Sequence, residues 1–502
     1  MPQLLRRAVC GLAIAASSQG LSATPASAHG FGQRFVLPLP LWLWVAGAGL
    51  TIVLTFVVMA VLVRERRVDV AYARVDLARF APVAWLCRPA AIATIRALGF
   101  AAFALIVAAG FLGDQDPYQN IIPTFVWVIW WVGFAFVCAL VGDLWALANP
   151  FATVFGWLER AVSPTGEMRP LLRYPQHLVA WPAVVVFLGF AWAELIWGAN
   201  DVPRNLATAV AAYAAFTWIA MLLFGRERWL QSGEAFSVAF AVLARFAPLV
   251  AERDAGGRLY LYARPYGAGL ARDTDLRVSF LSFVLLMLAT VTFDGFLETP
   301  LFQAITNALY SSRDVANLLF RLSDFGISDL QIIMTAALVL FPILFFAAYW
   351  LTAWAMARLT GSDRPVAYLA CTFVLSLVPI AVAYHLSHYF SLLLTAGQFI
   401  IPLASDPFGW GWNLLGTRGY DVNIALVSPY VFWYGATTII VIGHVIAVYL
   451  AHVVALREFA TRRAEGALSA RSAAMLSQVP MVLLMVAYTM SSLWILAKPV
   501  VG

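Results

Sequence analysis

The stretch VPIAVAYHLSHYF, Val378 to Phe390, decides how this chain is read. It lies within an apolar run long enough to cross a bilayer, yet it carries two histidines, His385 and His388. A polar side chain in lipid is costly, so an imidazole kept there points to a role. The two are three positions apart and share one face of a helix. Pro379 removes a backbone bond two turns earlier, which predicts a kink. The run reads as the wall of a polar site in a polytopic membrane protein.

The rest of the chain supports the membrane reading. Of 502 residues, 62% are hydrophobic and 12% charged, with mean hydropathy +0.83. A soluble domain carries roughly 25% charged residues. Runs of about 20 apolar residues mark membrane crossings. They predict an all-α, polytopic integral membrane bundle of about ten transmembrane helices, at 38–63, 91–113, 121–147, 177–198, 205–225, 278–297, 331–357, 366–396, 430–456 and 473–497. The formal charge of +6 comes almost wholly from arginines in short loops, where they set topology, so it does not indicate nucleic acid. Cys10, Cys87, Cys138 and Cys371 form no CxxC, which argues against a disulfide framework or a thiolate metal site.

Arg6 and Arg7 precede the apolar run Ala8 to Ala16, and Ala26-Ser27-Ala28 closes a small-residue segment. This pattern predicts a cleavable signal over residues 1–28, with 29–502 as a single membrane domain. Cleavage makes His29 the new N-terminus, outside the cytoplasm. Its α-amine and ring nitrogen together suit copper or zinc. Alternate spans then place Arg64 to Arg88, Arg160 to Arg173, Arg226 to Arg277, Arg358 to Arg364 and Arg457 to Arg471 inside. Only Arg34, Arg204, Arg313, Arg321, Arg418 and Lys498 fall outside, as the positive-inside rule requires.

Two inner segments, 68–85 and 236–249, mix arginine with apolar residues at helical spacing. They are expected to be amphipathic helices on the membrane surface or packed beneath the bundle. The outer loop 301–329 is expected to form short capping helices. The outer loop 399–429 carries Asp406, Trp410 and Trp412 and follows the His385/His388 helix directly. It is placed to act as a lid, its tryptophans anchoring at the interface or stacking on a ligand.

Other ionisable groups lie within the apolar runs. His444 and His452 fall in the ninth, Glu194 in the fourth and Asp143 near the inner end of the third; Asp294 and Glu298 stand at the outer end of the sixth. At a rise of about 1.5 Å per residue, His385 and His444 come to comparable depths, whereas His452 is too deep to join them. Asp294 and Glu298 are four apart and can face together. Neutral imidazoles with a carboxylate bind a divalent metal and make hydroxide from water. The same groups without metal relay protons in a transporter. Histidines on adjacent helices also hold a haem, or simply tie helices together by hydrogen bonds. HxxH alone lacks the HExxH glutamate and chooses among none of these.

The mature start His29-Gly30-Phe31-Gly32-Gln33-Arg34, the blocks Leu37-Pro38-Leu39-Pro40-Leu41-Trp42 and Ala383-Tyr384-His385-Leu386-Ser387-His388-Tyr389, and Ser405-Asp406-Pro407-Phe408-Gly409-Trp410-Gly411-Trp412 give the chain its likeness to known sequences. On these blocks it resembles a bacterial family of membrane proteins catalogued as fenitrothion hydrolases. The resemblance implies hydrolysis of an aryl organophosphorothioate at its P–O bond by an enzyme of the bacterial inner membrane. It carries over no catalytic residue. Joined to the residue reading, it sets the expectation of zinc or copper on His385, His388, His444 and His29. Asp294 or Glu298 would be ligand or general base, and a small apolar substrate would arrive from the lipid bilayer. The alternatives are a transporter or metal-handling permease, or one subunit of a larger membrane complex with a second membrane subunit.

Overall fold

Backbone polar groups in lipid must be satisfied within the segment itself, and helices do this. The computed structural model describes residues 37, 39–62, 74–163, 168–254, 258–271, 276–324, 326–423, 425–460 and 470–498. Its principal helices are α1 Leu41–Leu62, α2 Pro89–Leu112, α3 Ile121–Leu140, α4 Trp181–Leu195, α5 Pro203–Phe224, α6 Ala235–Ala244, α7 Val278–Leu297, α8 Pro300–Ser311, α9 Arg313–Ser323, α10 Asp329–Thr360, α11 Val366–Ser405, α12 Pro429–Ala460 and α13 Ala470–Ala497. Among the described residues nine of these are long and apolar enough to cross a membrane. The expected fourth span is the exception. Trp181–Leu195 has 15 residues, because Pro182 sits in its first turn and the chain leaves the helix at Ile196.

Burial orders the bundle. In α7, 83% of the apolar window is buried, against 17% in α2 and in α10. α7 is therefore the central helix, and the outer faces of α2 and α10 are left for lipid. α11 packs along α12, α12 along α13, and α13 against α1 and α10. Close crossing of α11 and α12 depends on Gly443, where a Cβ would stand 2.3 Å from Ala383 Cβ and 2.7 Å from the Pro379 carbonyl oxygen. α11 is interrupted by a 3-10 turn at Val374–Leu377, immediately before Pro379. The missing proline N–H accounts for the break.

Loops 113–120, 196–202 and 406–423 meet at one end of the bundle, here the loop end. Asp114 N–H donates to Phe408 O, Arg204 N–H to Gln115 Oε1, and Gln331 Nε2 to Ile196 O. The expected caps are present there as α8 and α9, which pack on each other and on α7 and α10. Thr299 Oγ1 accepts from Phe302 N–H at the start of α8. At the arginine-rich end a small antiparallel sheet joins β1 Val75–Asp76, β3 Leu259–Ala263 and β2 Leu249–Arg253, in the order β1-β3-β2.

The two expected surface helices differ from the sequence reading. Residues 68–73 lie outside the described residues, and 75–86 form β1, a 3-10 turn and the short helix Ala81–Leu86. Asp76 caps the 3-10 turn by accepting from Ala78 N–H, Phe80 is extended at the N-cap of Ala81–Leu86, and Pro89 holds Arg88 extended. The other segment is α6, which is buried almost throughout, with Phe236, Phe240 and Leu243 in the core. Its sequence is apolar on every side, so it is a core helix rather than a headgroup one.

Candidate functional site

Asp294 lies one turn before the end of α7 and is buried. His388 Nε2 approaches its Oδ2 at 2.8 Å, and the Tyr389 hydroxyl donates to the same oxygen at 3.0 Å. His388 and Tyr389 thus converge on one carboxylate oxygen, which accepts from the Tyr389 hydroxyl. Ring packing fixes the imidazole further. Tyr384 stacks on His388 at 5.9 Å between centroids with planes 13° apart, and Tyr389 meets it edge-on at 4.7 Å. Gly295 permits this approach: a Cβ there would lie 2.6 Å from Ile495 Cγ2, 3.1 Å from the Tyr384 hydroxyl and 3.3 Å from His388 Cε1.

Carboxylates gather around the pair. Glu194 and Glu298 both lie within charge-interaction range of Asp294. Glu298 is exposed at the C-cap of α7. Partial withdrawal from water and the neighbouring Asp294 charge push its carboxyl above the usual range, against the pull of His388.

His385 and His388 face different helices. The His385 ring is buried against Trp131 at 5.7 Å and Phe136 at 5.6 Å, both on α3, and meets Tyr389 at 4.8 Å. Its Nε2 has no hydrogen-bond partner among the described residues. Tyr389 thus stands between the two histidines. Trp131 falls in Thr124–Gly133, a stretch of α3 wound as a π-helix, a form that concentrates at functional sites.

His444 does not join the histidine pair as expected. The Gly443–Ala383 crossing and the Ser387 hydroxyl donating to Ala436 O fix the register of α11 against α12. That register sets His444 opposite residues near Ala381, roughly 6 Å further from the loop end than His385. Its Nδ1–H donates to Ile440 O at 2.9 Å, which leaves a buried Nε2 lone pair beside Tyr488. His452 Nδ1 instead ties α12 to α13 through Gln478 Oε1 at 3.1 Å.

No group of three or more histidine, cysteine or carboxylate side chains among the described residues is arranged to hold a metal ion. His29, the remaining expected ligand, lies outside the described residues. The expected lid is a loop braced by bonds of its own and by bonds to the 113–121 segment. Asp406 accepts from Trp410 N–H at 2.9 Å and Gly411 N–H at 2.7 Å. Trp410 stacks on Phe408 at 4.3 Å, and Trp412 packs edge-on against both. Asp406 follows His388 by about 27 Å of helix rise, and the loop is bonded to the 113–121 segment. Asp143, another intramembrane candidate, caps a turn by accepting from Ala146 N–H.

Tyr384 and Tyr389 were not singled out from sequence, since an aromatic in an apolar run is ordinary core material. Their position on the same stretch as the histidines was the available signal. Comparison with protein families, curated proteins and solved structures finds no match to the chain. The fold and its buried polar cluster define a multi-pass helical membrane protein.

Proposed function

We propose that His388, Asp294 and Tyr389 form the acid–base centre of a membrane hydrolase acting on an apolar ester of the organophosphate type. The observation that carries this reading is the 2.8 Å contact of His388 Nε2 with a buried carboxylate that also accepts from Tyr389. A carboxylate on one ring nitrogen orients the imidazole and stabilises its protonated form. In this reading the His388 imidazole takes a proton from water, and the hydroxide formed attacks phosphorus. The P–O bond to the aryl group breaks, and the imidazolium returns its proton to the departing aryloxide. Water and triester become diester and phenol with no other reactant. The arginine distribution supports a bacterial inner-membrane setting with the loop end outside the cytoplasm.

The test is turnover of an uncharged 4-nitrophenyl phosphotriester by the purified full chain in nanodiscs. His388→Ala is expected to lower kcat by about 10²- to 10⁴-fold, the usual worth of a positioned base. A variant as active as the parent protein would remove the reading. A second reading, a proton-coupled transporter, draws on Glu194, whose carboxylate interacts with both Asp294 and Tyr389. Substrate uptake into proteoliposomes driven by a pH gradient, without hydrolysis, would favour it.

A further inference from the structure

A cavity of about 430 Å³ lies between α7, α10, α11 and α13. Its volume falls within the small-molecule range of roughly 300–1,000 Å³. Leu288, Phe345, Ile380 and Trp494 line it, with few polar atoms. Leu344, 54% exposed, and Leu301, 49% exposed, are also in its wall and mark where it opens. Leu344 belongs to the α10 face that also exposes Leu340, Ile343 and Leu351. An apolar face on a membrane-spanning helix is lipid-facing, so the cavity opens sideways into the bilayer.

The inner wall is different. Thr292 Oγ1 and the Tyr488 hydroxyl are 2.6 Å apart and both residues line the cavity. Tyr488 packs on Tyr384 at 6.1 Å, and Ile495, another lining residue, rests against Gly295. Behind Tyr488 lies Tyr384, and His388 stacks on the Tyr384 ring. The Tyr384 hydroxyl is buried there with no hydrogen-bond partner among the described residues. With no protein partner, that hydroxyl is able to donate to a ligand acceptor.

We infer that this cavity is the substrate site, which uncharged aryl phosphotriesters enter directly from the bilayer, and that the Tyr384 hydroxyl donates to the phosphoryl or thiophosphoryl group. The inference rests on the hydrolase reading of His388 and Asp294. The aryl and alkyl groups occupy the apolar walls. Turning Tyr488 away from Thr292 brings the cavity to Tyr384, on whose ring His388 stacks.

The experiment uses an uncharged aryl phosphonate carrying a diazirine, a P–C analogue that cannot lose its aryl group, on the full chain in nanodiscs. Labelling is expected on α7, α10 and α13. Ala348→Trp, a change at an exposed lining position, is expected to reduce it by about tenfold, the effect of filling the cavity, and to raise KM with kcat little changed. His388→Ala is expected to keep the labelling and lose turnover. Tyr384→Phe is expected to lower kcat by about 10²-fold, as for loss of one positioned donor. Turnover with labelling spread over the lipid face, or untouched by Ala348→Trp, would overturn the inference alone. Labelling confined to the cavity without turnover of any aryl ester would overturn the hydrolase reading instead.

Discussion

Replacing Asp294 by asparagine and by alanine separates its charge from its hydrogen bonds. One carboxylate oxygen accepts from both His388 and Tyr389. Asparagine places a neutral amide oxygen at that point and keeps both donors satisfied. Alanine removes the acceptor and leaves two buried donors unpaired. Side-chain hydrogen bonds inside membranes are worth about 0.6 kcal/mol on average and about 1.7 at most. Two of them give about 1–3 kcal/mol, a fall of roughly 5- to 150-fold in the folded-to-unfolded ratio. D294A is therefore expected to melt well below D294N in detergent thermal unfolding, with D294N within about 1 kcal/mol of the parent. Activity is expected to order differently. Both variants lose the counter-charge of the imidazolium, so both are expected to fall by about 10²- to 10⁴-fold in kcat. Equal melting of the two variants would refute the hydrogen-bond geometry. Undiminished turnover in D294N would refute the charge argument.

Three further outcomes follow from other parts of the bundle. Gly443→Ala drives a methyl to 2.3 Å from Ala383 Cβ, far inside the normal contact of about 3.5–4.0 Å, and is expected to cost about 1–3 kcal/mol; adding Ala383→Gly should recover only part of this in thermal unfolding, because the Pro379 carbonyl remains. Glu234 caps α6 by accepting from Phe236 N–H and Ser237 N–H, and it also bonds the Tyr213 hydroxyl, so Glu234→Ala should lower stability by about 1–2 kcal/mol, read by the same melt. Glu298 has its carboxyl pKa raised by the fold from the ordinary 4.5, so its contribution is present below that value and is lost as pH rises through the folded pKa; Glu298→Gln should flatten the melting temperature against pH in that window.

The membrane bundle was legible because each span announces itself by its own composition. Hydropathy is a local property, and so are the proline at 379, which breaks α11, and the Thr299-Pro300 start of α8. The two histidines were legible for the same reason, as polar residues inside an apolar run. α6 was misread because Arg245, at its C-cap, was counted as a polar face, although the ten residues before it are apolar except Ser237. The fourth span was overestimated because hydropathy continues through Ile196 and Trp197 after the helix has ended.

Composition along the chain was enough to show that membrane-length helices form, to place all of them but the fourth, and to put His385 and His388 among apolar neighbours. Only the tertiary structure decided that His388 pairs with Asp294, 94 residues away, while His385 turns to α3 and His444 falls below both. Burial is written into each segment, whereas partnership depends on how far one helix is rotated and slid against the next. That register is set by contacts such as Gly443 on Ala383, which no single segment contains.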